Sequence, residues 1–179
     1  MNVNMAPTLA EVLAARDNRA ARHALLSARS AEDVTLVALT IVTPGPVKRS
    51  YRSVAAGNAA CIALTAVFAH NILESEIFDL PTGFEADFLI SLPAAEVKRK
   101  AMEIEERHPL GRLFDIDIIS ANGTPLSRKD AGLPERRCLL CDSPARLCMR
   151  AGRHSRDEIA GYVAGLIDSY LHSSSQTLR

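Results

Sequence analysis

This 179-residue chain has no net charge: 21 lysines and arginines stand against 21 aspartates and glutamates. Proteins that bind nucleic acid are usually basic, so that class is disfavoured, and partners must be recognised by local patches rather than by a long-range field. A membrane-length apolar run is also missing. The longest, Ala59 to Leu73, falls short of the roughly 20 residues a span needs, and it contains His70 and Asn71, so it reads as a buried helix. Met1 to Pro7 has neither the basic start nor the apolar core of a secretion signal, which points to a cytoplasmic protein. Cysteine is too sparse for a disulfide scaffold. Of the four, Cys61 reads as a small buried apolar residue, and Cys138, Cys141 and Cys148 cluster as thiols or metal ligands. What remains is ordinary for a globular chain, with 47% apolar and 23% charged residues, and the length fits one domain with a substantial core.

Hydrophobic patterning divides the chain into elements. Thr8-Leu-Ala-Glu11 is a capping-box pattern opening a helix to about Ala28, with Leu9, Val12, Leu13, Leu25 and Leu26 as its apolar side. On that helix Arg16, Arg19 and Arg22 fall three apart and share one broad arc, which can face a polyphosphate or water. Val34 to Val42 is apolar on both alternations, as a central strand would be. Thr43-Pro-Gly-Pro then turns the chain, and Lys48, Arg49 and Arg52 follow in a basic loop that could bind an anion. A helix is predicted from Ser53 to Leu73, with Gly57 early enough to cost little. Ile77 to Leu80 and Asp87 to Leu92 read as a hairpin around Pro81-Thr-Gly83. Pro93 opens a helix to about Arg107, where Lys98, Arg99 and Lys100 oppose Glu103, Glu105 and Glu106 as an exposed, mutually screened surface.

Next comes the most informative stretch, His108 to Ile119. Leu113 to Ile119 alternates apolar and polar residues, so Asp115 and Asp117 share one face of a strand. At a strand's rise their Cα atoms lie about 6.5 Å apart, within reach of one hard cation or a close pair. Gly111 permits close backbone approach at the strand entrance, Arg112 adds a cation beside the carboxylates, and Asn122-Gly123 ends the strand in a tight turn. The β-α-β-β-α-β order predicts an α+β fold: a mixed or antiparallel sheet with helices on one face, as in ferredoxin-like arrangements. Beyond a polar connection through Ser127 to Asp130, Cys138-x₂-Cys141-x₆-Cys148-x₅-His154 has the ligand types and number for tetrahedral zinc, with reduced buried thiols as the alternative. Ser155-Arg-Asp-Glu158 is a second capping box, and Ser173 to Arg179 is expected to fray. The whole reads as one domain over 1–179: a core over 8–135, a Cys-rich segment with a closing helix over 136–172, and a tail over 173–179.

Gly-Arg-Leu-Phe-Asp-Ile-Asp, residues 111–117, resembles the Gly-Arg-Leu-x-Asp-x-Asp motif of the apo-citrate lyase phosphoribosyl-dephospho-CoA transferases. Arg16-Asp-Asn-Arg-Ala-Ala-Arg22, Pro44-Gly-Pro-Val-Lys48 and Arg136-Arg-Cys-Leu-Leu-Cys141 with Cys148 and His154 resemble further segments of that family, so nearly the whole chain is covered. The resemblance implies a nucleotidyl-type transfer of the phosphoribosyl-dephospho-CoA group. The donor would be 2'-(5-triphosphoribosyl)-3'-dephospho-CoA, the acceptor a serine of the acyl carrier (gamma) subunit of citrate lyase, and diphosphate would leave. It implies Asp115 and Asp117 as ligands of Mg²⁺ and Arg112 as a phosphate clamp, with Gly111 giving backbone access. Lys48, Arg16, Arg19 and Arg22 would serve the triphosphate tail, and His108 could take the serine proton. Two other readings stay open: the equivalent transferase for malonate decarboxylase, and a non-enzymatic, zinc-stabilised interaction domain.

Overall fold

Local capping marks helix starts at Thr8, Ser50 and Ser155. Thr8 and Glu11 exchange hydrogen bonds at the head of α1 (Leu9–Ala28), as the capping-box pattern predicts. The strand β1 (Thr35–Ile41) follows, and then α2 (Tyr51–Phe68), whose N-terminus is closed by a reciprocal Ser50–Ser53 pair. Next come β2 (Ile72–Leu80), β3 (Gly83–Ile90), α3 (Ala94–Arg107) after Pro93, and β4 (Phe114–Ile119). The two-residue β5 (Pro125–Leu126), the short α4 (Ala145–Arg150) and α5 (Arg156–Thr177) complete the chain. The computed structural model describes residues 6–29, 33–128, 132 and 134–177. Lys129 and Asp130 of the predicted polar connection lie outside them.

The sheet order is β2-β3-β1-β4-β5, and every neighbouring pair is antiparallel. With α2 between β1 and β2 and α3 between β3 and β4, this is the split β-α-β arrangement expected from the element order. One face of the sheet carries the main core. Val37 and Leu39, Phe84 to Ile90 at alternate positions, and Phe114, Ile116 and Ile118 pack there with Ala60, Leu64 and Phe68 of α2, Val97 and Ala101 of α3, and Val163 and Ile167 of α5. By length and composition Tyr51–Asn71 could cross a membrane, and here its inner stripe is core. α1 lies on the opposite face, where Leu26 joins Leu36, Ala38, Leu89 and Ile119 in a small second cluster.

Several boundaries differ from those the sequence predicts. The helix predicted to Leu73 stops at Phe68, because Ala69 at φ +26° turns the chain out and Ile72 and Leu73 enter β2. The hairpin strands are longer than predicted and their connection is a two-residue turn at Pro81 and Thr82. Ser173 to Thr177 continue α5 instead of fraying. The apolar side assigned to α1 is inverted: Leu9, Val12, Leu13 and Leu25 face solvent, and its charged arc faces the sheet.

Two glycines test this packing in opposite directions. A Cβ on Gly57 would sit 2.4 Å from the buried ring of Phe84, so that glycine is where α2 and β3 touch. Gly57→Ala is expected to destabilise by about 1–3 kcal/mol through overpacking. Gly161, exposed in α5 with nothing within 4 Å of where a methyl group would stand, is the counterpart, and Gly161→Ala should stabilise by about 0.5–1 kcal/mol. Urea unfolding of both variants measures the two signs.

Candidate active site

The register of three strands builds an acidic sheet face. β1 lies between β3 and β4, with Thr40 opposite both Glu85 and Asp115, and Ala38 opposite both Asp87 and Asp117. Side chains alternate, so all four carboxylates emerge on the face away from the main core, in two rows. Two interstrand spacings separate the β3 pair from the β4 pair by roughly 10 Å. Alternation in the sequence singled out Asp115 and Asp117. Glu85 and Asp87 were missed there, although their alternation with Phe84, Ala86 and Phe88 is the same signal in β3.

The β3 pair is neutralised within the fold. Arg19 Nη1 donates to Glu85 at 2.9 Å, while Arg22 donates to Asp87 at 2.6 Å and to Glu85 at 2.9 Å. His23 Nε2 lies 2.9 Å from Asp87 Oδ1. Burial opposes the charge on Asp87, but hydrogen bonds from His23 and Arg22 outweigh it and hold the carboxyl below the usual aspartate range. The Arg22 guanidinium also stacks 3.8 Å from the centre of the Phe78 ring. Arg19 and Arg22 thereby tie α1 to the sheet. Arg16, one turn earlier and exposed, forms no ion pair among the described residues.

The β4 pair is left open. Asp115 keeps about half of its side-chain surface in water and accepts a 3.0 Å hydrogen bond from Arg136. Solvent also reaches Asp117. Partial loss of hydration in the fold and then the like charge of Asp115 push its carboxyl above the usual range, against the pull of Lys98 and Arg136. Lys98 and Glu105, assigned from sequence to an exposed surface, are buried because α3 runs along the outer edge of β4. Burial holds the Lys98 amine below its ordinary value despite the nearby Glu105 and Asp117. Glu105 accepts from Arg136 at 2.6 Å and from Arg128, and the Ile116 amide points to it at 3.4 Å. Arg136 also caps the Phe114 carbonyl at 2.7 Å.

Beside these groups a cleft of ≈ 240 Å³ is bordered by Gly111, by Arg112, Arg128, Arg136 and Arg137, and by Glu105, Glu106 and Glu135, so four guanidinium groups meet three carboxylates there. Gly111 is required there for a reason other than ligand access, since a Cβ would meet the Glu105 and Ile104 carbonyl oxygens at 2.4 and 2.6 Å. Arg112 donates at 2.8 Å to the carbonyls of Arg137 and Cys138, so its side chain ties down the cysteine segment, while Arg136 is the cation on the carboxylates. Lys48 Nζ donates to the Thr43 carbonyl at 2.8 Å, in the loop leaving the same end of β1 at which Thr40 faces Asp115. His108 is placed elsewhere. Its Nδ1 accepts the Leu110 amide, its ring packs on Phe114 and Tyr170 on the helical side of the sheet, and burial keeps it readily neutral. A second hollow, a groove of ≈ 460 Å³, runs between α1 and the end of β4, lined by Ala20, His23, Ala24, Ser27, Ile119 and Asn122.

A model of the apo-citrate lyase phosphoribosyl-dephospho-CoA transferase family matches residues 7–170. The chain belongs to that family. The transferase of this name from Escherichia coli O7:K1 is 38% identical over 167 residues, spanning 91% of this chain and 90% of its own. The one from Shigella boydii serotype 18 is 37% identical over 166 residues, again 91% and 90%. The matched span contains the acidic rows, the cleft beside them and the cysteine cluster.

The raised carboxyl of Asp117 carries a stability signature. A carboxyl whose folded value lies above its unfolded one opposes folding wherever it is ionised, and the penalty vanishes once acid protonates both states. Asp117→Asn is therefore expected to be more stable than the parent at neutral pH, with the gain disappearing as the pH falls into the aspartate range. Thermal unfolding across pH measures it.

Proposed function

We propose that this chain transfers the phosphoribosyl-dephospho-CoA group from 2'-(5-triphosphoribosyl)-3'-dephospho-CoA to a serine of the citrate lyase acyl carrier subunit. The observation that carries the reading is the open Asp115–Asp117 pair, held beside Arg136 and a cleft lined by four arginines and three glutamates, in a chain of this family. In the reaction the serine oxygen forms a bond to the phosphorus nearest the ribose, the bond from that phosphorus to the diphosphate oxygen breaks, and the hydroxyl proton is lost. Negative charge grows on the departing diphosphate, so catalysis rests on positioning and on fixed cations.

Asp115 and Asp117 suit Mg²⁺, which is commonly held by one or two carboxylates together with waters and substrate phosphate oxygens. They are adjacent on one face and reached by solvent, and partial loss of hydration followed by the like charge of Asp115 raises the Asp117 carboxyl above its ordinary value. Bound there, the ion would neutralise polyphosphate charge. The protein's own cations do the rest. Arg128 and Arg136 are preset by Glu105, so a polyphosphate entering the cleft meets guanidinium groups whose rotamers are already fixed. Lys48 and Arg16 belong to the same end of the sheet and are assigned to the outer phosphates. The groove beside α1 lies at Ile119, two residues beyond Asp117 on the same face of β4, and we assign it to the dephospho-CoA portion, whose bulk fits a hollow lined by small residues. His108 is not given the serine proton, because its ring is engaged on the other side of the sheet.

Intact-mass measurement of the apo carrier subunit, incubated with this protein, Mg²⁺ and the triphosphate precursor, tests the reading. The expected result is a mass gain equal to the phosphoribosyl-dephospho-CoA adduct, absent with folded Asp115→Asn or Asp117→Asn. Arg136→Ala should lower kcat/KM by about a hundredfold, as loss of a preorganised charge-stabilising donor does. An adduct on the malonate decarboxylase carrier alone would reassign the acceptor, and no adduct on either would refute the transfer. Ala24→Trp, which fills the groove from an exposed helix position, is expected to raise the KM for the precursor while leaving thermal stability within error of the parent.

A further inference from the structure

The four residues Cys138, Cys141, Cys148 and His154 come from three separate pieces of chain: a loop, the short helix α4 and the approach to α5. Their ligand atoms nonetheless all lie within 4.8 Å of one another. The Cys141 and Cys148 sulfurs are 4.0 Å apart, and His154 Nε2 is 3.3 Å from the Cys141 sulfur. With Zn–S bonds near 2.3 Å, a tetrahedron has an edge of about 3.8 Å. The cysteines are free thiols, and 4.0 Å is twice the length of an S–S bond of about 2.05 Å, so a disulfide does not account for the convergence.

The surrounding backbone is arranged as a ligand-holding knuckle. The Cys138 amide donates to the Ser143 carbonyl at 2.8 Å, and the Ala145 amide donates to the Arg136 carbonyl, closing the loop between the first two cysteines and α4. The Leu140 amide points at the Cys138 sulfur at 3.5 Å, the kind of outer hydrogen bond that orients a thiolate ligand. Cys148 is buried, and the Arg153 amide donates to its carbonyl at 3.3 Å, setting the turn that delivers His154.

We propose that Cys138, Cys141, Cys148 and His154 bind one zinc ion, and that this ion fixes the position of Arg136 on the acidic pair. Arg136 stands two residues before the first ligand, and Arg112 donates to the carbonyls of Arg137 and Cys138, so the knuckle and the arginine cleft form one connected unit. Four protein ligands close the coordination shell, which makes the ion structural and leaves no position for substrate. Arg136 is thereby held as a positioned cation by a metal that never touches the reacting atoms. The zinc site stands independently of the proposed transfer, and its effect on polyphosphate binding rests on that reading.

The test reads metal and anion binding without the carrier reaction. Elemental analysis of the full chain purified from zinc-replete medium is expected to give one zinc per chain, and Co²⁺ substitution to give the strong visible bands of tetrahedral thiolate-bound cobalt. Cys141→Ser should lose the metal, whereas His154→Cys should keep it by offering a fourth thiolate. Binding of inorganic tripolyphosphate should weaken about tenfold or more on zinc removal, the scale of one charged hydrogen bond, and return on reloading. A folded protein without zinc and without the cobalt bands would overturn the site. Bound zinc whose removal leaves tripolyphosphate affinity unchanged would overturn its role in placing Arg136.

Discussion

A buried carboxylate cannot stay charged without partners, and Glu105 sits at the centre of this structure under that constraint. It lies where the last turn of α3 meets the outer edge of β4, a stretch of edge that the two-residue β5 does not pair. Its oxygens draw in Arg128 and Arg136, and Arg136 passes on to Asp115 and to the Phe114 carbonyl. One anion thus satisfies a bare strand edge, anchors the segment after β4 and leaves a guanidinium beside the open aspartates. The absent side chain of Gly111 belongs to the same arrangement, because it lets the turn before β4 press against the α3 carbonyls at Glu105.

The two halves of the acidic face show how identical chemistry is given different uses. On β3, Glu85 and Asp87 are buried and fully met by Arg19, Arg22 and His23, so they bind α1 to the sheet. On β4, Asp115 and Asp117 have cations at their flank and water above them, and Asp117 is held in a state that resists ionising. A carboxylate already satisfied is a structural tie. One left short of positive charge is a place for an incoming cation.

Much of this was legible in the sequence, for identifiable reasons. Strict alternation placed Asp115 and Asp117 on one strand face, capping boxes at Thr8 and Ser155 marked two helix starts, and ligand type and spacing singled out Cys138 to His154. The split β-α-β order followed from the succession of elements. What stayed hidden depended on contacts distant along the chain. Periodicity identified the apolar residues of α1 but not the face turned to the sheet, because buried carboxylates on β3 reversed the usual preference. Lys98 and Glu105 looked like solvated helix charges, since nothing local reveals that a strand edge runs beside them. Arg112 and Arg136 are equivalent as residue types, and only the folded path of the cysteine segment decides which one reaches Asp115.

The separation of Arg136 from its partners, 21 residues from Asp115 and 31 from Glu105, also gives the molecule an order of assembly. The β1, β3 and β4 ladders with α1, α2 and α3 can form from residues preceding that arginine, with Arg128 as the partner of Glu105 and water in the place that Arg136 takes. Docking of the later segment must then close a long loop and strip that water, a step that the sheet's own pairing does not drive. The Arg136 contact on the acidic pair is therefore separable from the sheet, and a local opening of residues 134–154 would remove it while the five-stranded framework stayed intact.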